Sequence, residues 1–299
     1  SRYQIRTNYR SAAHVVRAGN AVMDGRGRKA RFHSDANGSV QVWDLDKFNP
    51  TRIERFRHGN DVITPAVLRL LRDLLDQGRQ TVMLSRRSSS PKNARLHGPR
   101  GGFTEFLASI KSRLPEGDHD RVSISSTHKY KGLESEAVIL LDAVSDSYPL
   151  IHPNWIFTRI FGNALERIDA EERRLFYVAI TRAKSTVVIL TEASKSSPYL
   201  DELRKCWVAA HGQWDGGAWA QRKHQEVLVR VRDGYAVKDQ LTKLGFVFDK
   251  NERCWSKVTN VDGFSLDDLV AEPWAKNRRV EVYSDRDECL HPVDKQISF

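Results

Sequence analysis

Two short apolar runs restrict the fold of this chain more than any other feature of its sequence. They are AVILLDA at residues 137–143 and TVVILTE at residues 186–192, both rich in β-branched residues and leucine. Neither run alternates apolar with polar positions, as a strand with one solvated face does. Strands of this kind are buried on both faces, which is typical of a parallel sheet covered by helices. The runs therefore predict an α/β domain.

Further strand and helix patterns alternate along the chain as far as residue 208, as expected for such a domain. Other segments with strand patterns are SVQVWDL (39–45), TVMLSRR (81–87) and VSIS (122–125). Helical periodicity is present at residues 11–23, 62–78, 103–114, 171–182 and 198–207. This order predicts that residues 1–208 form one domain.

The composition changes near residue 209. Residues 209–224 are rich in Gly, Trp and polar residues, which predicts a linker. The segments that follow have mixed patterns: VLVRVR, FVFD, CWSKV and RRVEVYS are strand-like, and YAVKDQLTKLG is a short amphipathic helix. We therefore predict that residues 225–299 form a small α+β module with Phe248 and Trp255 in its core.

The formal net charge of +10 favours a polyanionic partner, most often nucleic acid. No apolar run approaches the length of a membrane span, and residues 1–10 contain no apolar signal region. Cys206, Cys254 and Cys289 lie far apart, which is typical of free thiols in a reducing compartment. These observations predict a cytoplasmic protein with no membrane partner. Because the first residue is not Met, we expect the chain to be part of a longer protein.

No complete catalytic apparatus is recognisable in the sequence. A nucleotide-hydrolysing enzyme usually holds phosphate with a GxxxxGK[ST] loop after a strand, and this pattern is absent. The strand VILLDA ends in Asp142, like a Walker B strand, but it lacks the second acid. We therefore interpret Asp142 as an ordinary strand terminus.

Three short segments carry residue types suited to nucleotide chemistry, although each also has a structural interpretation. In NYRS (8–11) the Tyr ring can stack on a base and the Arg can bind phosphate, or the segment can be a helix N-cap. SSTHKYKGLE (125–134) exposes hydroxyl, His and Lys side chains between two strands, where His128 can equally be structural. EERRLFYVAITRAK (171–184) places Arg182 at the end of a charged helix whose other charges can form a solvated lattice.

In their order and spacing, these segments resemble motifs IV, V and VI of UvrD/Rep-type superfamily 1 DNA helicases. The resemblance covers about residues 1–205 and implies that residues 1–208 are the second RecA-like (2A) domain, a parallel sheet flanked by helices. The interval between the first two motifs leaves no room for the accessory 2B domain of larger relatives. The chain therefore resembles the compact helicase IV-like branch. It departs from the usual motif V at Ser135, where an aromatic residue is frequent.

The resemblance implies specific roles at an ATP site. Tyr9 would stack on the adenine, Arg10 would reach the γ-phosphate, and Glu134 would contact the ribose. Gly132 would allow close approach of the backbone. Arg182 would be an arginine finger, because phosphoryl transfer needs a cation on the developing charge and guanidinium offers directed donors.

The resemblance also implies contacts to DNA. Ser126, His128 and Lys131 would lie near the DNA strand, and Arg86 belongs to a looser match to the DNA-contact segment of the family. Aromatic residues between motifs V and VI can stack on single-stranded bases or pack beneath a long loop. They are Tyr148, Trp155 and Phe157.

The resemblance thus implies the C-terminal half of an ATP-dependent helicase that moves 3′ to 5′ on single-stranded or partly duplex DNA. A missing N-terminal RecA-like domain of the same protein would supply the P-loop and hold most of the Mg²⁺ ligands. The alternative is a non-catalytic nucleic-acid-binding or regulatory protein that retains the fold. An intact set of Tyr9, Arg10, Glu134 and Arg182 favours the enzyme. We further hypothesise a nucleic-acid or protein partner for residues 225–299.

Overall fold

The chain divides into two compact units in the computed structural model. The model describes residues 7–23, 26, 28–33, 36, 38–87, 102–151, 164–206, 208–216, 225–276 and 278–291. The first unit comprises Ser1–Phe48 and Ala66–Trp219, and the second comprises Asn49–Pro65 and Ala220–Phe299. Residues 49–65 therefore cluster with the C-terminal part of the chain, a grouping that no sequence pattern had indicated.

The helices and strands follow the predicted alternation. The helices are α1 (Ala13–Val22), α2 (Arg52–His58), α3 (Ile63–Asp76), α4 (Phe103–Lys111), α5 (Ala164–Ile180), α6 (Tyr199–Lys205), α7 (Lys238–Lys243) and α8 (Leu266–Ala271). The strands of the first unit are β1 (Thr7–Asn8), β2 (Arg31–Phe32), β3 (Ser39–Asp44), β4 (Thr81–Ser85), β5 (Val122–Ser126), β6 (Ser135–Leu140), β7 (Ala183–Thr191) and β8 (Ala210–His211). Those of the second are β9 (Glu226–Arg232), β10 (Val247–Asp249), β11 (Cys254–Asn260), β12 (Arg279–Ser284) and β13 (Cys289–His291).

The first unit is built on a six-stranded sheet in the order β5-β4-β6-β7-β3-β8. All its strand pairs are parallel, so the predicted α/β class with a parallel sheet is confirmed. A separate short parallel pair, β1 with β2, holds Thr7 and Asn8 beside Arg31 and Phe32.

The central strands are apolar at successive positions because both of their faces are buried. Val138 and Leu140 of β6 join one core cluster, whereas Ile139 between them points to the opposite face and is also fully buried. Helices α1, α5 and α6 contribute to the first cluster through Val15, Phe176, Leu203 and their apolar neighbours. This two-sided burial is the physical origin of the continuous apolar runs.

The second unit is a five-stranded antiparallel sheet in the order β10-β11-β9-β12-β13. Its core contains Val229, Leu241, Phe246 and Trp274 among other residues. Helix α2 is bound to this sheet: Arg57 forms two hydrogen bonds with Glu226, at 2.6 and 2.5 Å. The module therefore recruits a helix from far upstream in the sequence.

The predicted core residues of the second unit differ in their burial. Trp255 packs against the core, as expected. Phe248 was expected there too, but its side chain is 46% exposed on the edge strand β10, where its ring lies 5.6 Å from that of Trp255. An edge strand has a neighbour on one side only, so one partner shields Phe248 instead of two.

None of the described helices is long and apolar enough to cross a membrane.

Candidate functional site

The three chemistry-bearing segments meet in one cleft of the first unit, beside the amino ends of β6 and β7. The cleft has a volume of about 660 Å³. Its lining residues are Thr7, Asn8, Tyr9, Arg10, Glu134, Tyr177, Thr181, Arg182 and Lys184. The segments are far apart in sequence. The parallel pairing of β6 with β7 places the starts of these strands, and with them Glu134 and Arg182, side by side. The backbone N–H of Ala12 donates to the carbonyl of Lys184 (2.7 Å), which holds the first segment beside them.

A turn before α1 presents Tyr9 and Arg10 to the cleft. The side-chain oxygen of Asn8 accepts hydrogen bonds from the backbone N–H groups of Arg10 (2.8 Å) and Ser11 (3.0 Å). This arrangement is an Asx-turn, which shapes the backbone without using the side chains that follow. The ring of Tyr9 is 69% exposed and lies 4.6 Å from the ring of His33, measured between centroids. One aromatic face is therefore available to a planar ligand.

Arg182 lies where α5 ends and β7 begins, as the sequence indicated. Its Nε donates to the carbonyl of Val178 (3.1 Å), and Nη1 donates to the carbonyl of Leu133 (3.2 Å). Neutral carbonyls orient the guanidinium without neutralising its charge. Burial and the nearby positive charge of Arg10 lower the pKa of Arg182 from its ordinary value. A bound anion would therefore stabilise the charged form of Arg182.

Glu134 is the acidic centre of the cleft. It forms an ion pair with Nε of Arg10, and its other oxygen lies 3.5 Å from Nζ of Lys184. Lys184 also lies 3.3 Å from Glu136. The hydrogen bond to Glu136 raises the pKa of Lys184, so the lysine remains charged.

Sequence reasoning missed Lys184, Tyr177 and Thr181 as lining residues of the cleft. A usable signal was available for Lys184, because it follows Arg182 by two positions in an extended segment. Side chains at such positions lie on the same side of a strand. Tyr177 lies in the last turn of α5, and Thr181 is the residue after its end. They are four residues apart, and the backbone N–H of Thr181 donates to the carbonyl of Tyr177 (3.0 Å), so the two lie one turn apart on the same side.

Gly132 lies in the loop between β5 and β6 with φ of +96°. A Cβ at this position would meet no described atom within 4 Å, so crowding within the described part does not require glycine. The left-handed backbone does require it, because L side chains rarely adopt that conformation. In the same loop the hydroxyl of Tyr130 donates to the carbonyl of Glu134 at 2.9 Å.

The residues proposed to contact DNA differ in how they are placed. His128 and Lys131 are exposed on the β5–β6 loop, whereas Ser126 is buried and its hydroxyl accepts from the backbone N–H of Lys129 at 3.3 Å. Partial burial and the positive charge of Arg86 lower the pKa of His128. The imidazole is therefore biased toward its neutral form, in which it can both donate and accept a hydrogen bond.

Arg86 is occupied by a buried ion pair. Its Nε and Nη2 donate to Glu172 at 2.9 and 2.6 Å, and the two side chains are only 13% and 9% exposed. Glu172 belongs to the EERR segment of α5, so the pair links the end of β4 to the helix that leads to Arg182. The sequence had assigned Arg86 to a DNA surface and had no reason to pair it with Glu172.

Asp142 and Tyr148 are buried in the same region. Asp142 accepts hydrogen bonds from the hydroxyl of Ser85 (2.9 Å) and the backbone N–H of Arg86 (3.0 Å), and burial raises its pKa. The hydroxyl of Tyr148 lies 2.7 Å from that of Thr127, and the whole side chain is buried. Tyr148 thus packs in the core and does not form a base-stacking surface. Trp155 and Phe157 lie outside the described residues.

A comparison with protein families gives one match of direct relevance. Residues 68–194 match the UvrD-like helicase C-terminal domain. The matched segment contains Glu134 and Arg182 of the cleft. It begins after Tyr9 and Arg10, which therefore lie outside the match.

Two curated relatives are similar to parts of the chain. The probable DNA helicase II homolog of Mycoplasma pneumoniae is 33% identical over 92 residues, which are 30% of this chain and 12% of that protein. DNA helicase IV of Escherichia coli is 32% identical over 141 residues, 44% of this chain and 20% of that protein. The chain thus matches only a small part of each relative's length. Among solved structures, the C-terminal domain of a possible DNA helicase from Lactobacillus plantarum has 15% identity and a TM-score of 0.41. That match covers 69% of this chain and 99% of that one.

Proposed function

We propose, from the match of residues 68–194 to the UvrD-like helicase C-terminal domain, that the chain supplies half of the ATP site of a DNA helicase. The complete enzyme would hydrolyse ATP and move 3′ to 5′ along single-stranded or partly duplex DNA. The observation that carries this proposal is the convergence of Tyr9, Arg10, Glu134 and Arg182 on one cleft.

The chemistry of the cleft suits a nucleoside triphosphate. An exposed Tyr ring can stack on the adenine, and the guanidinium groups of Arg10 and Arg182 can face the phosphates. Glu134 offers a carboxylate that can accept hydrogen bonds from ribose hydroxyls. Each role is the one that the motif resemblance assigns to the same residue.

An N-terminal RecA-like domain of the same protein would complete the site. It would bring the P-loop and Walker B acids that this sequence lacks, and it would hold most of the ligands of Mg²⁺. Mg²⁺ held there would supply positive charge to the phosphates of ATP. Arg182 would then enter from the opposite side of the closed cleft. Because the arginine and the P-loop lie on different domains, hydrolysis would depend on domain closure, which couples ATP turnover to movement along DNA.

DNA would contact the β5–β6 loop through the exposed side chains of His128 and Lys131. A lysine near the strand neutralises phosphate charge, which makes such binding sensitive to salt. The same loop ends at Glu134 in the cleft, so one short segment would connect the DNA contacts with the ATP site.

The isolated 299-residue chain should show no ATP hydrolysis above background, because it would carry only half of the catalytic groups. Mixing the chain with an N-terminal P-loop domain, or using the full-length protein, should give DNA-stimulated hydrolysis. Steady-state phosphate release with and without a single-stranded oligonucleotide measures both. Robust hydrolysis by the isolated chain would contradict the division of the site between two domains.

The second unit is proposed to be an accessory module for nucleic acid or a protein partner. Exposed Tyr235 and Phe248 support this role, with the ammonium of Lys238 5.2 Å from the centre of the Tyr235 ring. Aromatic rings beside lysines are typical of single-strand contacts, each stacked base contributing about 1–3 kcal/mol. Replacing both rings by alanine in the full chain should therefore weaken single-strand binding about tenfold or more in a fluorescence anisotropy titration. An unchanged affinity and salt dependence would exclude nucleic acid and leave a protein partner.

A further inference from the structure

The carboxylate of Glu134 has both Arg10 and Lys184 as cationic neighbours. Arg10 pairs with one of its oxygens, and the ammonium of Lys184 lies 3.5 Å from the other. Lys184 is in turn 3.3 Å from Glu136. A single lysine therefore bridges the two acids on either side of Ser135, the first residue of β6.

The ion pair between Arg10 and Glu134 has a consequence for nucleotide binding. Glu134 and an incoming phosphate compete for the one positive charge of Arg10, so full engagement of the γ-phosphate weakens the pair with this carboxylate when ATP enters. Glu134 would then lose its strongest counter-ion inside a cleft that it shares with the polyanionic ligand. An uncompensated carboxylate beside phosphate oxygens is unfavourable, because like charges repel at short range.

Lys184 is placed to compensate that loss. Its ammonium already lies beside the oxygen of Glu134 that Arg10 does not use. An ammonium group is a compact charge with three donors, so it can serve two carboxylates together. The strand pairing of Ser135 with Ala183 fixes the backbone on both sides of this bridge.

Building on the function proposed above, we propose that Lys184 is a positioning residue for Glu134 that releases Arg10 to the γ-phosphate of ATP. Lys184 holds the carboxylate beside β6, which lets Arg10 exchange one anion for another. Glu136 acts as the anchor that keeps the ammonium near the cleft. In this arrangement Lys184 acts through Glu134 and makes no contact with the nucleotide.

The test compares ADP with a non-hydrolysable ATP analogue in the full-length protein, because only the triphosphate offers a γ-phosphate to Arg10. Lys184→Ala should weaken binding of the analogue about fivefold while changing ADP affinity much less. Lys184→Arg should retain most of the affinity, since it keeps the charge. Lys205→Ala, at an exposed lysine of α6, is the matched control and should change neither affinity.

A double variant separates positioning from direct contact. In a Glu134→Gln background the neutral amide no longer holds Arg10, so adding Lys184→Ala should cause no further loss of analogue binding. An equal loss in both backgrounds would overturn the inference and make Lys184 a direct phosphate ligand. Equal weakening of ADP and the analogue by Lys184→Ala would overturn it as well.

Arg10→Ala distinguishes failure of this inference from failure of the proposed function. If Arg10→Ala selectively weakens binding of the analogue and Lys184→Ala does not, the proposed ATP site is supported and the proposed role of Lys184 is wrong. If Arg10→Ala leaves both affinities unchanged, the proposed site itself is wrong, and the inference falls with it.

Discussion

We expect Arg182→Ala to lower kcat for ATP hydrolysis by about 10³-fold or more in the full-length protein, with little change in single-strand affinity. The guanidinium of Arg182 is oriented by the carbonyls of Val178 and Leu133, and neither neutralises its charge. It can therefore stabilise negative charge that develops as the γ-phosphate is transferred. Single-turnover hydrolysis and DNA-binding titrations on the same variant measure the two effects separately.

Arg174→Ala provides the matched control for this prediction. Arg174 is an exposed arginine of α5, about two turns before Arg182. Its replacement by alanine also removes one positive charge, but Arg174 does not line the cleft. It should leave kcat within about twofold of the unmodified protein, because isolated surface charges contribute little. If Arg182→Ala instead abolished DNA binding while turnover survived, Arg182 would be a contact to the phosphate backbone of DNA.

We expect Glu172→Ala to destabilise the first unit by about 3–5 kcal/mol. The substitution leaves the guanidinium of Arg86 buried without its carboxylate, and both side chains are at most 13% exposed. It also removes the acceptor for the backbone N–H of Leu150, at 3.2 Å. The free energy of unfolding, measured by denaturant titration of the full chain, is the relevant quantity.

Glu171→Ala is the control, because Glu171 is exposed and adjacent to Glu172 on α5. It should change the free energy of unfolding by about 0.5 kcal/mol or less. A similarly small effect of Glu172→Ala would show that the pair with Arg86 contributes little. Arg86 would then be available to DNA, as the motif resemblance implied.

The parallel sheet was predictable because its signal is local. Strands β6 and β7 are buried on both faces, so their consecutive residues are apolar and the pattern is visible in the sequence. Helix boundaries were less certain: α5 begins at Ala164, seven residues before the segment predicted from the sequence. Its first turns are rich in charge, which conceals the apolar periodicity.

The helix α2 shows a signal that was present and missed. Thr51 and Glu54 form a capping box, with each side chain bonded to the backbone of the other residue, and the sequence TRIE has the corresponding pattern. The pattern predicts where a helix starts. It does not predict that Arg57 of this helix pairs with Glu226, because that contact joins residues remote in sequence.

The amino-acid sequence by itself determined the α/β class of the first unit and the motif segments that contain Tyr9, Glu134 and Arg182. Periodicity, turn chemistry and motif spacing are properties of neighbouring residues, so they can be read along the chain. Only the tertiary structure decided that Arg10 pairs with Glu134, that Lys184 bridges Glu134 and Glu136, and that Arg86 is buried against Glu172. These choices depend on which charged side chains the fold brings within a few ångströms of one another, and on how much water remains beside them.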